Sequence, residues 1–238
     1  MENNRIMKSI VSFLLCFITV FTINTEMDAQ SSGYDDDIAK HRKGELIVKA
    51  RKGSQVNIEQ IRHEFWFGCA IPNSLGGRGM SAENMEMFKQ KFLENFNSAV
   101  TENSLKWAIM EPRKDIENYA VTDSILAWTE RNNIPLRGHN LFWGIFKSPN
   151  TGQQYVQQWV AELDDDELRQ RIRDRAIRIT KYYKGRFAEY DLNNEMIHGN
   201  YYEDRLGPEI TKLMAEWAHE GDPDAKFWLN DYDILIND

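Results

Sequence analysis

Cysteine is nearly absent from this sequence of 238 residues, which contains only Cys16 and Cys69. Cys16 lies in an apolar N-terminal segment that we expect to be removed, so the mature chain keeps one thiol and cannot form an internal disulfide. Cys69 lies in the apolar run 65–71, where a buried structural thiol is a better interpretation than a nucleophile. The sequence therefore excludes a disulfide-stabilised scaffold.

Positive charge is also scarce, since 29 Lys and Arg residues stand against 37 Asp and Glu residues and give a net charge of -8. Binding to nucleic acids and to anionic membranes depends on clustered Lys and Arg, so both partners are disfavoured. A neutral ligand fits this charge better. The seven Trp residues indicate core packing first and, as the alternative, platforms for the apolar faces of sugars.

The sequence also lacks an apolar run suited to a membrane span. The N-terminal run from Ile10 to Ile23 is interrupted by polar residues, follows Arg5 and Lys8, and is followed by Ala29 as a candidate cleavage point. This pattern predicts a signal peptide over residues 1–29. We expect a secreted or periplasmic protein with no stable membrane insertion after cleavage.

Two further regions follow the predicted signal peptide. Residues 30–60 are predicted to be a polar segment leading into a small β-hairpin, with strands at 45–50 and 56–59. Residues 61–238 alternate between short apolar strands and helical patterns, which predicts βα units and a parallel sheet in an α/β fold. The predicted strands are 65–71, 98–101, 136–142, 187–192 and 226–229, and the main helices begin near Ser81, Thr122, Asp166 and Pro208.

Polar side chains cluster where the predicted strands end. Because parallel strands deliver their carboxyl ends to one rim, we expect these side chains to share a site. The residues are Glu102, Asn103 and Lys106 after the second strand, Arg137 and His139 on the third, Asn193, Asn194 and Glu195 after the fourth, and Asn230, Asp231 and Tyr232 after the fifth.

Four motifs in these same stretches resemble the family-10 xylanases. They are 102–107 (ENSLKW), 137–143 (RGHNLFW), Asn194-Glu195 and 229–232 (LNDY), in the family's order and with similar spacing, and Phe67-Gly68 matches as well. The resemblance covers about residues 61–235. It implies a TIM (β/α)₈ barrel, of which this chain represents about the first five βα units. It also implies retaining hydrolysis of internal β-1,4-xylosidic bonds in xylan or a related β-glycan, with no cofactor and no metal.

The resemblance assigns roles to individual residues. Glu195 would be the general acid/base, and Asn194 would hold the 2-hydroxyl of the sugar being cleaved. Hydrogen bonds to the sugars would come from Glu102, Asn103, Lys106 and His139, and the site would be shaped by Trp107, Trp143, Asp231 and Tyr232. Six alternatives stay open: Glu195 as a solvated loop carboxylate, His139 as a strand histidine that bonds backbone, Trp107 as plain core, Lys106 in a salt bridge with Glu102 or Glu111, Asp231 ordering its neighbours, and His198 as an exposed loop residue rather than a ligand.

Two features depart from the family pattern. The segment after Trp143 runs Gly144 to Pro149, where the family usually has a second histidine. The nucleophilic Glu of the family lies on a seventh strand, whereas only five strands are predicted here and no later Glu follows a strand. We therefore expect the nucleophile beyond residue 238 and the given chain to be truncated and inactive.

Two other functions compete with this interpretation. A non-catalytic carbohydrate-binding remnant of such a barrel would keep the groove without turnover. A metal-dependent barrel hydrolase using His139, Glu195 and Asp231 is disfavoured, because no strand carries a His-x-His pair or clustered His and Asp.

Overall fold

The computed structural model describes residues 32–61, 63–77, 79–148 and 151–235. The predicted signal peptide, with Cys16, lies outside the described residues. The chain divides into two compact units, residues 1–60 and 61–238. The first contains helix α1, Ser32–His41.

The predicted hairpin is not formed. Residues 45–50 and 56–59 carry no strand, and Leu46, Ile47 and Ile58 are each more than half exposed. The physical reason is that a two-stranded hairpin is marginal in water unless it packs its apolar face on another layer. The prediction rested on local alternation alone, which does not supply that layer.

The second unit is built on a six-stranded sheet in which every pairing is parallel. This confirms the predicted α/β fold, as an unclosed part of a barrel. The strand order is β1-β2-β3-β5, with β4 and β6 each paired to β5 as well. The strands are β1 Gly68–Ile71, β2 Ser98–Thr101, β3 Leu136–Gly138, β4 Phe142–Trp143, β5 Glu189–Asn194 and β6 Phe227–Asn230.

The predicted third strand, 136–142, is interrupted and becomes β3 and β4. Both pieces pair with β5, Gly138 opposite Tyr190 and Phe142 opposite Asn193. Between them, the Thr101 hydroxyl accepts from the His139 N–H at 2.8 Å and donates to its carbonyl at 2.9 Å. The Thr101 side chain thus replaces the backbone hydrogen bonds of a β-ladder at His139, between the two pieces of one barrel strand.

Helices cover the sheet, and their caps follow the sequence signals. The Ser81 hydroxyl accepts from the Asn84 N–H at 3.2 Å, and the Asp164 carboxylate accepts from the Glu167 N–H at 2.8 Å. The helices are the 3₁₀ turn Asn73–Gly76, α2 Ala82–Asn95, α3 Trp107–Met110, α4 Ala120–Arg131, α5 Gln158–Ala161, α6 Asp165–Tyr182, α7 Tyr201–Leu206 and α8 Ile210–Gly221. No helix in the described ranges is both long and apolar enough to cross a bilayer.

The longest helix, α6, presents its predicted apolar stripe to the core. Leu168, Ile172 and Ile179 are buried there. Helix α8 approaches α6 so closely that a Cβ atom placed on Gly221 would lie 2.1 Å from the Thr180 hydroxyl. The same hydroxyl donates to the Ala218 carbonyl at 2.8 Å, so the helix pair is joined by a buried hydrogen bond.

Strand β1 and strand β6 each pair on one side within the described residues. Phe65 is 71% exposed just before β1, and Leu229 is 62% exposed on β6. Cys69, expected to be buried, is half-buried on β1 and packs against the core from the edge. Central strands are covered on both faces, whereas the terminal strands expose apolar side chains, as in an open section of a barrel.

Candidate active site

The ends of strands β5 and β6 are fastened together at the rim of the sheet. The Glu195 N–H donates to the Asn230 carbonyl at 2.7 Å, and the Asn230 amide donates to Asn194 Oδ1, also at 2.7 Å. Asn194 is 1% exposed, and its own Nδ2 has no hydrogen-bond partner among the described residues. A buried amide without a partner is costly, so this nitrogen is a donor whose hydrogen-bonding capacity the described residues leave unused.

Glu195 follows β5 directly and is half-buried. Its Oε2 accepts one hydrogen bond, from Trp143 Nε1 at 2.8 Å, and it forms no salt bridge with the described residues. Its backbone has φ +58°, the left-handed region that is uncommon outside glycine and recurs at functional sites. The result is a carboxylate held in place by an indole and not neutralised by a cation.

The indole of Trp143 is itself held by two neighbours. Tyr155 stacks on it, with ring centroids 4.5 Å apart and planes 21° from parallel, and Lys106 Nζ lies 4.4 Å from its centroid. The Lys106 salt bridge left open by the sequence is not present, since neither Glu102 nor Glu111 pairs with it. Burial lowers the pKa of Lys106, and the charges of Glu195 and Glu102 oppose that effect.

Trp107 is 4% exposed, which favours its reading as core. Its Nε1 donates to Glu111 Oε2 at 2.9 Å, and its ring packs edge-on against Phe142 and Trp159. It contributes only the base of the neighbouring cleft. Arg175, also buried, lies 5.5 Å from the same ring.

A second polar group lies on the sheet beside the rim. His139 Nδ1 is 2.8 Å from Asp191 Oδ2, and Arg137 donates to Asp191 Oδ1 and to Glu189. Burial alone would raise the pKa of the Asp191 carboxyl, but hydrogen bonds from His139 and Arg137 outweigh it and hold the pKa below its ordinary value. The strand-end pattern does not predict Asp191; its one signal is a carboxylate within the strand, between Tyr190 and Leu192.

The residues after β6 mainly order one another. Asp231 accepts from the Ile197 N–H and from the Tyr232 N–H, both at 2.9 Å, which is the ordering alternative left open above. The ring of His198 stacks on Tyr232 at 3.8 Å. Burial and the charge of Glu195 raise the pKa of the Tyr232 phenol. His198 is thus a neighbour of the site.

Two concave regions lie at the strand ends. One, of about 400 Å³, is lined by residues including Asn103, Lys106, Trp107, Trp143, Gln154 and Tyr155. The other, of about 420 Å³, is lined by residues including Thr101, Glu102, Arg137, His139, Asp191 and Asn230. Gln154 and Tyr155 come from the loop after β4, and no strand-end motif predicts them. Across the described parts of the chain, no group of three or more His, Cys, Asp or Glu side chains is placed to hold a metal ion, so the metal-dependent alternative gains no support.

Known proteins resemble this chain in sequence and in structure. The family described as Glycosyl hydrolase family 10 matches residues 58–237. An endo-1,4-beta-xylanase from Arabidopsis thaliana is 38% identical over 202 residues, covering 82% of this chain and 20% of its own. An anti-sigma-I factor from Acetivibrio thermocellus is 34% identical over 203 residues, covering 82% of this chain and 25% of its own.

A solved structure, xylanase 10B from Thermotoga petrophila in complex with xylobiose, superposes with a TM-score of 0.62 at 26% identity. The match covers 72% of this chain and 51% of that one. The chain thus spans about a fifth to a quarter of the curated relatives and about half of the solved xylanase. Since the family match takes in the whole parallel sheet and its strand-end residues, the chain belongs to glycosyl hydrolase family 10.

Proposed function

We propose that this chain acts in the hydrolysis of internal β-1,4-xylosidic bonds in xylan or a related β-glycan. The observation that carries the proposal is Glu195, a carboxylate at a strand end that is held by the Trp143 indole and by no cation among the described residues. The relatives named as xylanases and the xylobiose in the solved structure support xylan as the substrate class.

Glu195 is proposed as the proton donor to the departing glycosidic oxygen. Its carboxylate is oriented by a neutral N–H and is paired with no guanidinium of the described residues, which leaves it free to hydrogen-bond the glycosidic oxygen. The free Nδ2 of Asn194 is proposed to bind a sugar hydroxyl next to the cleaved bond. Asn103 and Lys106 in the first concave region, and Glu102 and His139 in the second, are proposed to bind neighbouring sugars.

Hydrolysis with retention needs a second carboxylate about 5–5.5 Å from the first. Asp191 and Asp231 are occupied by the contacts described above. Glu203 accepts from Asn193 at 2.9 Å and from Thr211 at 2.5 Å, and Asn193 points to the opposite face of β5 from Asn194. We therefore propose that residues 30–238 supply the acid half of the site and have no turnover by themselves.

That part of the proposal is tested by reducing-sugar release from xylan. Purified residues 30–238 are compared with a version lengthened by the strands that the family places after β6. Comparable turnover from the two would refute the claim and direct attention to Glu102, the exposed carboxylate at the end of β2.

The acid is tested by Glu195→Gln in the protein as its gene encodes it. We expect turnover of polymeric xylan to fall about 10²- to 10⁴-fold, because general acid catalysis contributes that much. Aryl xylosides with good leaving groups should lose less, since their departure needs less protonation. The matched control is Glu209→Gln, the same change at an exposed residue that immediately precedes α8. Equal losses on both substrates would show that Glu195 is not the acid.

Export is a separate proposal that rests on the basic and then apolar N-terminus alone. We propose that residues 1–29 direct secretion and are removed. N-terminal sequencing of the protein recovered outside the cytoplasm should begin near Gln30. An intact N-terminus on protein that stays in the cytoplasm would contradict it.

A further inference from the structure

Helix α6 carries one arginine on its buried stripe. Arg175 lies between Ile172 and Ile179 and is 1% exposed. It forms no salt bridge with the described residues, whereas Arg173 on the same helix pairs with Glu220. Burial lowers the pKa of Arg175 to about 10, so the guanidinium stays charged near neutral pH. A buried cation without a carboxylate partner is costly unless other groups compensate it.

The groups that compensate this cation are two backbone carbonyls from different strand ends. Arg175 Nη2 donates to the Leu105 carbonyl at 2.7 Å, and Arg175 Nε donates to the Leu141 carbonyl at 3.0 Å. Because a guanidinium is planar and its N–H groups have fixed directions, the two bonds fix where these carbonyls lie relative to each other. Arg175 thus joins the segment after β2 to the segment between β3 and β4.

Each of these carbonyls lies close in sequence to a residue of the cleft. Leu105 directly precedes Lys106, and Leu141 lies two residues before Trp143. Lys106 Nζ lies 4.4 Å from the centroid of the Trp143 ring, and Nε1 of that ring donates to Glu195. The guanidinium therefore joins, through their backbones, the two segments whose side chains meet at this ring.

Ring packing between the two segments involves the same arginine. The Trp107 ring packs edge-on against Phe142, with centroids 6.0 Å apart, and the guanidinium carbon of Arg175 lies 5.5 Å from the Trp107 centroid. Hydrogen bonds from a charged donor are strong and directional, whereas edge-on ring packing tolerates sliding. Arg175 therefore gives the link between the two segments its direction.

We propose that Arg175 is a positioning residue that sets the place of Lys106 relative to Trp143, and thereby the affinity of the cleft for a neutral β-glycan. It acts through the two backbone carbonyls and touches no substrate. The inference deepens the proposed function and rests on it, because Lys106 is there proposed to bind a sugar. Small displacements are sufficient, since binding groups must be held within about 0.5 Å of the productive geometry.

The test is calorimetric titration of the protein, as its gene encodes it, with xylotetraose. Arg175→Lys keeps the charge but replaces the planar fork of donors by one ammonium, which cannot hold both carbonyls in the same geometry. We expect the affinity to fall about five- to tenfold, the factor expected for loss of the Lys106 contact. Thermal melting establishes that each variant is folded at the temperature of the titration.

A double-mutant cycle separates positioning from a general loss of stability. In the parent protein, Lys106→Met should weaken xylotetraose binding about five- to tenfold. In Arg175→Lys the same change should cost less than about twofold, because the ammonium of Lys106 is already displaced. A merely structural Arg175 would lower the melting temperature and leave the full effect of Lys106→Met in place.

Arg173→Lys is the matched control. It makes the same substitution on the same helix, at a side chain that is 42% exposed and whose Nη2 lies 3.0 Å from Glu220. This variant should bind xylotetraose within about twofold of the parent protein, by the usual scale of surface changes. It should also keep the full effect of Lys106→Met.

Each outcome supports or overturns the inference. Parent-like affinity in folded Arg175→Lys would overturn it, and so would losses from Arg175→Lys and Lys106→Met that simply multiply. Should Arg175→Lys not fold, Arg175→Gln decides by the same cycle, since its neutral amide removes the buried charge together with one of the two bonds. Absence of binding by the parent protein would refute the proposed substrate and the inference with it, whereas parent binding that Arg175→Lys leaves intact would refute only the role of Arg175.

Discussion

Two carboxylates of this protein lie four residues apart on one strand and its end, in opposite surroundings. Asp191, in the middle of β5, is 4% exposed and accepts hydrogen bonds from Arg137 and His139. Glu195, just after β5, accepts one bond from a neutral indole and has no cation within salt-bridge distance among the described residues. The strand and its end thus carry one carboxylate that is locked, since it is paired with Arg137 and His139, and one that is open, since none of the described cations pairs with it.

The difference separates stability from chemistry. A buried charge must be paired, because its desolvation is otherwise uncompensated, and Asp191 satisfies that requirement inside the sheet. Glu195 lies at the rim, where water or substrate can reach it, so one neutral donor suffices to orient it. We infer that removing Asp191 affects folding first, whereas removing Glu195 affects turnover first.

The largest effect expected on stability follows from Asp191→Asn. The substitution removes the charged acceptor shared by His139 and Arg137 and leaves Arg137 paired with Glu189 alone, so we expect unfolding to become easier by roughly 1.5–3 kcal/mol. Glu195→Gln should change the free energy of unfolding by less than about 1 kcal/mol, since it alters one hydrogen bond at the rim. Urea denaturation of both variants measures these values. Equal destabilisation by the two changes would break the comparison.

The pH dependence of unfolding sharpens the same comparison. Because the pKa of Asp191 is lower in the folded protein than its ordinary value of 3.8, its contribution to stability is present above pH 4 and lost as the pH falls through the folded pKa. The gap in unfolding free energy between the parent and Asp191→Asn should therefore be constant near neutrality and shrink below about pH 4. Other acids titrate in both proteins and cancel. A gap that widened on acidification would show that Asp191 is not stabilised as a carboxylate.

Much of the fold follows from local signals in the sequence. The β2 strand, the Ser81 cap and the apolar stripe of α6 each depend on neighbours within a few residues, which periodicity and capping report directly. The rim residues were predictable for a related reason, since polar groups at the ends of parallel strands must converge.

The rest depends on contacts between distant parts of the chain. The break at His139 is made by the hydroxyl of Thr101, and the partners of Asp191 come from β3, more than fifty positions earlier. Tyr155 reaches Trp143 only because its loop pairs with itself, Lys147 with Gln154. Neither hydrophobic periodicity nor strand-end polarity encodes such pairings, so the sequence predicts the open carboxylate but not the locked one.

The smallest effect we expect concerns the cations that accompany the two carboxylates. Arg137 is paired with Asp191, whereas Lys106 lies over the ring of Trp143 and forms no salt bridge within the described residues. Burial holds the pKa of Lys106 below 10.5, so xylotetraose binding should weaken as the pH rises through that lowered pKa. Lys106→Met should bind about five- to tenfold more weakly at neutral pH, as for the loss of about 1 kcal/mol from one hydrogen bond, and should lack this alkaline dependence.

The source of that dependence can be separated from other groups by two substitutions. The charge of Glu102 raises the pKa of Lys106, so Glu102→Gln should move the alkaline loss of binding to lower pH. Tyr155→Phe should leave its position unchanged, and Tyr232 titrates above its usual 10.0 because burial and Glu195 raise its pKa. Calorimetric titrations from pH 7 upward measure the shift. If Glu102→Gln does not shift the alkaline loss of binding, or if the loss persists in Lys106→Met, then the loss does not come from deprotonation of Lys106.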